Sequence, residues 1–458
     1  LSFPSQIDKR TGFLQRGALF LTRWQWLWLA FSAPFFLFPS PSRRWIFIVV
    51  PALWLVAWFA TGEPLPNTPA NLPLLVIMIM VLVSLYATYA IEVSLPKIAG
   101  MLLGIGMYYA FIHASRKEGI FRVVLAAFLA SGFGIAVLGV AGMQWPDKYT
   151  FLQNYLSKLP ILIKGLPGAE AGFQPNEVAG ALLWVLPLLI VMVIAFFIGL
   201  INRTTRKHPG WIVVGLLFLI PITIIMVGTM LLTQSRASLI ALVLALIFLP
   251  VFLLKRRWIY LGMLLVISAS IGLFSWRSGW IQKIYMETGN PGQSIVTFSG
   301  RLEIWDRAIR GIHDFPFTGM GMNTFRSVII VFYPTDYAGK DLGHAHNEFL
   351  QAALDLGIPG LIGFLSLNIV AFWMLVQTWR NVQPIHLEKS PLSSAFVVKV
   401  LVLGFAGGFL AHLLFGMIDA VALGAKPGVM FWMLLGLIAG LYLRQKSNSL
   451  TGATLAVG

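Results

Sequence analysis

Two histidines separated by a single residue, His344 and His346, stand in the run GHAHNEFLQAALDLGIPG from Gly343 to Gly360. Ala345 to Leu356 reads as a helix with Phe349, Leu350, Ala353 and Leu356 as its apolar stripe, interrupted by Gly357 and Pro359. His346 falls in the first turn of that helix, near the positive end of the dipole, where imidazolium is disfavoured. A neutral imidazole can take the proton of a hydroxyl nucleophile, so His346 is the candidate general base. The bland alternative is a structural histidine capping a helix at a membrane surface. Two histidines on one helix face chelate a metal at a spacing of three or four. The spacing here is two and no carboxylate pair or D-x-D motif stands nearby, so neither a metal nor a cofactor is expected.

Two arginines stand apart from the other basic residues. Arg236, in TQSRAS, opens an otherwise uncharged run from Leu239 to Leu253. Burial of a guanidinium at a membrane boundary is costly unless it meets an anion or water. Snorkelling to the headgroups would explain the charge but not its polar flank, Thr233, Gln234 and Ser235. Arg301, in SGRLEIWDRAIRGI, opens an amphipathic helix capped by Ser299 and Gly300, with Trp305 and Ile309 on one side. Arg307 and Arg310 can pair with Glu303 and Asp306 at helical spacing. Two guanidinium groups at one site suit a diphosphate, because each can fork across two oxygens and stabilise a leaving charge. Gln174 and Asn176, in GFQPNEVAG, precede a spanning helix that Asn176 is placed to cap after Pro175. Asp419, in FGMIDA, ends an apolar run and can orient His346 or pair with an arginine. Gly319-Met-Gly321 follows no strand and lacks the Lys-Ser/Thr of a phosphate-binding loop.

The elements that must carry these residues are apolar. Of 458 residues, 58% are hydrophobic and 11% charged, far from the ~25% charged of a water-soluble globule. The sequence reads as an all-α integral membrane protein. Runs of roughly 20 apolar residues occur near 24–39, 43–60, 72–90, 97–113, 119–142, 177–200, 210–230, 236–254, 258–275, 357–378, 396–418 and 427–443, so about twelve transmembrane helices are expected. A net charge of +16 comes in short clusters between these runs, as in cytoplasmic loops, and no nucleic-acid partner is expected. The clusters that fall on one side when both termini are cytoplasmic are Lys9-Arg10 with Arg16 and Arg23, Arg116-Lys117 with Arg122, Arg203 with Arg206-Lys207, Lys255–Arg257, Arg380 with Lys389, and Arg444 with Lys446, while Arg43-Arg44 is an exception. With both termini cytoplasmic, nearly all the unusual polar residues face outward. The expected organisation is 1–275, transmembrane helices 1–9; 276–356, a large, partly helical periplasmic loop between the ninth and tenth; 357–443, helices 10–12; and 444–458, a disordered cytoplasmic tail. With no cysteine, thiol chemistry is excluded.

The set resembles the O-antigen ligase and polymerase superfamily of membrane glycan transferases. The resemblance rests on His346-Asn347, nine residues, then Gly357-x-x-Gly360, the family's H-[NSQ]-x9-G-x-x-G pattern. Arg301, Trp305 and the P-F-T-G-M-G run from Pro316 to Gly321 follow the family's order, and Ser235-Arg236 and Pro175-Asn176 resemble its earlier motifs. It covers roughly 170–440. It implies a bacterial inner-membrane enzyme whose site faces the periplasm, with a glycan donor on undecaprenyl diphosphate and a glycan or lipid acceptor. It also implies an inverting, metal-independent transfer with no cofactor. His346 would be the catalytic base, Arg236 and Arg301 the diphosphate ligands, and Gln174, Asn176, His344, Asn347 and Asp419 residues of the substrate pocket. The pattern favours a ligase acting on a lipid A-core sugar. The alternative is a polymerase of the same superfamily, and the rivals of other classes are a lipid or solute transporter and a non-catalytic envelope scaffold.

Overall fold

In lipid every backbone polar group must be satisfied within its own segment, which leaves a chain of long apolar runs the helix. The computed structural model describes residues 12–146, 154, 156, 158, 160–166, 169–201, 209–254, 256–277, 298–334, 343–382, 394–421 and 423–456. Among these residues there are helices, two isolated β-bridges and no strand. The chain begins with α1 (Phe13–Arg23), α2 (Gln25–Leu37) and a 3-10 turn (Pro41–Ile48), then α3 (Val49–Thr61), α4 (Asn71–Ala87), α5 (Ile91–Ser115) and α6 (Glu118–Gly142). There follow α7 (Pro175–Leu182), α8 (Leu186–Ile201), α9 (Pro209–Leu232), α10 (Arg236–Phe248) and α11 (Arg257–Arg277). Two short helices, α12 (Phe298–Asp314) and α13 (Phe325–Phe332), precede the long α14 (Glu348–Asn381); α15 (Ser394–Gly416) and α16 (Val429–Ala456) follow.

Among the described residues, seven stretches are long and apolar enough to cross a membrane: Ile91–Ser115, Glu118–Gly142, Pro175–Ile201, Ile212–Leu232, Glu348–Asn381, Ala395–Gly416 and Lys426–Ser447. Gln25–Leu37, Trp45–Thr61, Asn71–Ala87, Arg236–Phe252 and Arg257–Ser270 are apolar but shorter. The apolar runs of the sequence fall on these stretches, and a twelve-span topology would require the shorter ones to cross as well. The tail differs from expectation: α16 runs on to Ala456, so most of 444–458 is helical. Once a helix is nucleated by a packed segment, each further residue adds a bond at little cost.

α5 and α16 form the most extensive helix pair. Gly104 lets the Trp432 ring lie against its backbone, where a Cβ would come within 2.0 Å of Trp432 Cδ1. Close approach of this kind holds helices together where lipid removes the hydrophobic gain. α14 packs on α4 and α16, α15 on α8 and α10, and α12 on α14.

The bundle has two chemically distinct ends. Lys97, early in α5, ion-pairs with Asp355 of α14. About 28 Å further along the same helix, by its rise of ~1.5 Å per residue, Arg116 meets Glu63 at 3.4 Å and Arg444 nearby meets Glu118 at 3.8 Å. Of the basic residues named above, Lys9, Arg10, Arg203, Arg206, Lys207, Lys255 and Lys389 lie outside the described residues, as do 278–297 and 335–342 of the expected loop.

Gly357 breaks α14 with φ 69 and ψ 177, a region open essentially to glycine alone. The break receives the loop from Pro316 to Gly321: Ile358 N–H donates to Pro316 O at 2.7 Å and Met320 N–H to Leu354 O at 2.7 Å. A Cβ on Gly357 would stand 2.2 Å from Phe317 O. The glycines of the two sequence motifs thus meet each other, which sets the short outer part of α14, Glu348 to Leu356, beneath the histidines.

Candidate active site

Asn347 caps α14. Its Oδ1 accepts the Phe349 and Leu350 N–H groups, each at 3.0 Å, and its Nδ2 donates to Met417 O at 3.0 Å. One side-chain oxygen satisfying two orphan donors fixes the helix start at Glu348. His346 therefore lies ahead of the helix and not in its first turn, with a left-handed φ of 46.

The carboxylate that faces it comes from the far end of α15. Beyond Gly416, Ile418 and Asp419 both donate their N–H groups to Phe415 O, at 2.8 and 2.9 Å, and this turn aims the buried Asp419 side chain at both imidazoles. Asp419 Oδ1 lies 3.3 Å from His346 Nδ1 and 3.5 Å from His344 Nε2, and the two rings are 4.4 Å apart. His346 N–H donates to His344 Nδ1 at 3.2 Å. That bond makes Nδ1 of His344 an acceptor, so the ring carries its proton on Nε2, toward Asp419. Burial pushes His344 down to about 4 against the pull of Asp419. Burial alone would raise Asp419, but the hydrogen bond from His346, the two imidazoles and Arg301 outweigh it and hold the carboxyl below its ordinary range. An anionic carboxylate beside Nδ1 of His346 favours the proton there and leaves the Nε2 lone pair available as a base.

Arg301 lies on α12 within electrostatic reach of Asp419 and His344; burial pushes its pKa down and Asp419 opposes this. It has no carboxylate at ion-pairing distance among the described residues, whereas Arg307 meets Asp306 at 3.6 Å and Glu303 at 4.0 Å, and Arg310 meets Asp306 at 3.1 Å. Two of these pairs, Glu303 with Arg307 and Asp306 with Arg310, follow the helical i,i+4 spacing. Two other details differ from the sequence reading. The helix is already formed at Phe298, ahead of the expected Ser299-Gly300 cap, and its buried face is Ile304 and Ala308, with Ile309 58% exposed.

Arg236 stands exposed at the first position of α10. Its polar flank is the buried turn between α9 and α10, where Gln234, at φ 50, donates Nε2 to Pro146 O at 2.8 Å. Gln174 is the exposed N-cap residue of α7, and Asn176 is not the cap, because Pro175 takes the first helical position. Proline is suited to that position, having no N–H to satisfy. In the same first turn, Glu177 comes within electrostatic reach of Asp419 and Lys426. The structure thus gathers His344, His346, Asp419, Arg301 and the Asn347 cap, with Arg236, Gln174 and Asn176 on separate helix starts.

Several polar residues of the site escape a reading by apolar stripes. The other face of the outer part of α14 is also buried: Glu348, Gln351 and Asp355 are each at most 3% exposed. Gln351 accepts the Ala345 N–H at 2.8 Å and donates to Asp355 Oδ1 at 2.9 Å, while Asp355 Oδ1 also accepts Asn323 N–H at 3.0 Å. Glu348 Oε2 lies 3.2 Å from Nε2 of His412, which is buried between Trp184 and Phe431. Lys97 was the available signal, as the lone cation within an apolar stretch that needs an anion nearby.

His344, His346 and Asp419 each offer one ligand atom, all within 4.8 Å of one another, close enough for a single metal ion. The histidine spacing gave no hint of this, because the third group arrives from another helix.

Residues 221–365 match the family model described as O-Antigen ligase. That match supports membership of the O-antigen ligase and polymerase superfamily. The matched segment holds Arg236, Arg301, both histidines, Asn347 and Gly357 to Gly360, and it ends ahead of Asp419. No curated protein matches the chain.

Proposed function

We propose that this protein transfers a glycan from undecaprenyl diphosphate to an acceptor hydroxyl on the periplasmic face of the bacterial inner membrane, as an O-antigen ligase. The carrying observation is the Asp419 carboxylate 3.3 Å from Nδ1 of His346, with Arg301 close by and free of carboxylate partners among the described residues. His346 Nε2 accepts the acceptor hydroxyl proton as the oxygen bonds to the anomeric carbon. The bond from that carbon to the phosphate oxygen breaks, and the lipid diphosphate departs with the electron pair. Attack opposite the leaving group inverts the anomeric centre. Arg301 and Arg236 hold the diphosphate and balance the charge as it develops. Asp419 keeps the imidazole oriented and stabilises the imidazolium that forms, and His344, neutral, fills the space beside it. Gln174, Asn176 and Asn347 would line the pocket for the sugars.

The test is reconstitution with a lipid-diphosphate glycan and a lipid A-core acceptor, followed by product sizing. Block transfer supports the ligase, and a stepwise ladder with a second lipid-linked glycan would make it a polymerase. Purified His346→Ala protein that transfers glycan at the full rate would rule out the mechanism in both forms. Movement of the glycolipid across vesicles with its linkage intact would mean a transporter.

A further inference from the structure

The peptide unit between Ala345 and His346 is gripped at both ends. Its carbonyl accepts the indole N–H of Trp305 at 3.0 Å, and its N–H donates to His344 Nδ1 at 3.2 Å. The residue before is fixed as well: the Ala345 side chain is fully buried and its N–H is held by Gln351. The residue after is the Asn347 cap, tied to α14 and to Met417. His346 is thereby held at φ 46, a conformation that an L-residue adopts only when its surroundings impose it. The strain of such a residue and the net strength of one hydrogen bond are of the same order. Losing one grip is enough to let the turn relax.

The grips come from different bodies. Gln351 cannot turn its amide over, because Nε2 is committed to Asp355, whose other oxygen is paired with Lys97. That side is anchored on α5 and α14, deep in the bundle. Trp305 belongs to α12, and Arg301 stands one helical turn before it, on the same flank. A single short helix therefore carries both the guanidinium beside the acid and the donor that orients the backbone of the base.

We infer that Trp305 is a positioning residue: by holding the Ala345 carbonyl it makes the alignment of His346 depend on the docking of α12, the helix that presents Arg301 to the donor diphosphate. The inference rests on His346 being the base. It deepens that reading by linking donor capture to alignment of the base through one residue that touches neither reactant. The docking of α12 itself is secured independently by Ile304 and Ala308, packed with Ala345, Leu354 and Met320. Removing the indole N–H should therefore disturb alignment without releasing the helix.

The experiment uses full-length protein in proteoliposomes with a lipid-diphosphate glycan as donor. Trp305→Phe keeps an aromatic ring and removes the N–H. Benzothienylalanine incorporated at position 305 keeps the bicycle and replaces N–H by sulfur, which covers a failure of the phenylalanine variant to fold. For both, kcat should fall about tenfold or more, equivalent to ~1.4 kcal/mol of barrier. The donor KM should stay within about twofold, because uniform binding is untouched. Arg301→Lys should instead raise the donor KM. In a His346→Ala background the Trp305 changes should lower the residual rate no further, since there is no base left to misalign.

Unchanged kcat in the benzothienylalanine protein would overturn the inference. So would a raised KM with kcat retained, which would make Trp305 a sugar platform, or an equal loss in the His346→Ala background. The two levels of the argument separate cleanly. If His346→Ala alone transfers normally, the proposed function fails; if it is inactive while the Trp305 proteins keep full kcat, only the positioning role fails.

Discussion

Replacing Asp419 by asparagine keeps its shape and removes the charge that faces both imidazoles. An amide can present its NH2 to Nδ1 of His346, which would move the proton to Nε2 and block the base. Asp419→Asn should lower kcat by about 10²–10⁴-fold, the usual worth of a general base, with the protein still folded by size-exclusion and thermal melting. His344 supplies a pH signature. Its folded value of about 4 lies below the ordinary 6.5, so between these values the unfolded chain binds more protons. Its contribution to stability is complete above pH 6.5 and is lost as the pH falls toward 4. Melting curves of reconstituted protein should show this decline, and His344→Gln should flatten it. Asp419, depressed below its ordinary 3.8, adds a loss only at still lower pH. His346 and Asp419 were both legible in the sequence as residue types at the ends of apolar runs. Their partnership was not, because 73 residues separate them.

At the scale of elements, the break in α14 is the feature most open to test. Gly357→Ala places a Cβ 2.2 Å from Phe317 O at a backbone conformation only glycine tolerates. It should destabilise the fold by at least about 1–3 kcal/mol, read as a lower melting temperature together with lost transfer. Asn347→Ala removes the cap and should cost about 1 kcal/mol. Asn347→Asp keeps an oxygen for Phe349 and Leu350 and loses only the bond to Met417 O, so a smaller loss of stability is expected. The glycines at 357 and 360 were visible in the sequence as a spacing, whereas their purpose needed the loop from Pro316 to Gly321 to be seen docking there. Helix starts were misread where two signals competed. Pro175 outranked Asn176, and Asn347 excluded His346 from its helix. Gln351 and Asp355 stayed hidden because polar residues at helical spacing look like a solvated face until a second helix covers them.

The apolar runs were legible throughout the molecule, because lipid leaves a single local solution for the backbone. Which ends meet was only partly legible, since that depends on pairs such as Lys97 and Asp355, 258 residues apart. The chain has no cysteine, which makes single-cysteine labelling direct. Exposed Gln174→Cys at the site end should react with a membrane-impermeant maleimide in intact spheroplasts. Exposed Lys117→Cys at the other end should react only after lysis. The reverse pattern would put the site in the cytoplasm. The order in which the parts are synthesised matters too. Lys97 is made long before Asp355, and both histidines leave the ribosome well ahead of the turn that follows α15. A nascent or truncated chain ending at Asn381 lacks α15 and α16, and with them the Met417 carbonyl that Asn347 holds and the Asp419 carboxylate. Under the proposed transfer, such a chain would have no carboxylate to orient the base and should move no glycan even where it inserts.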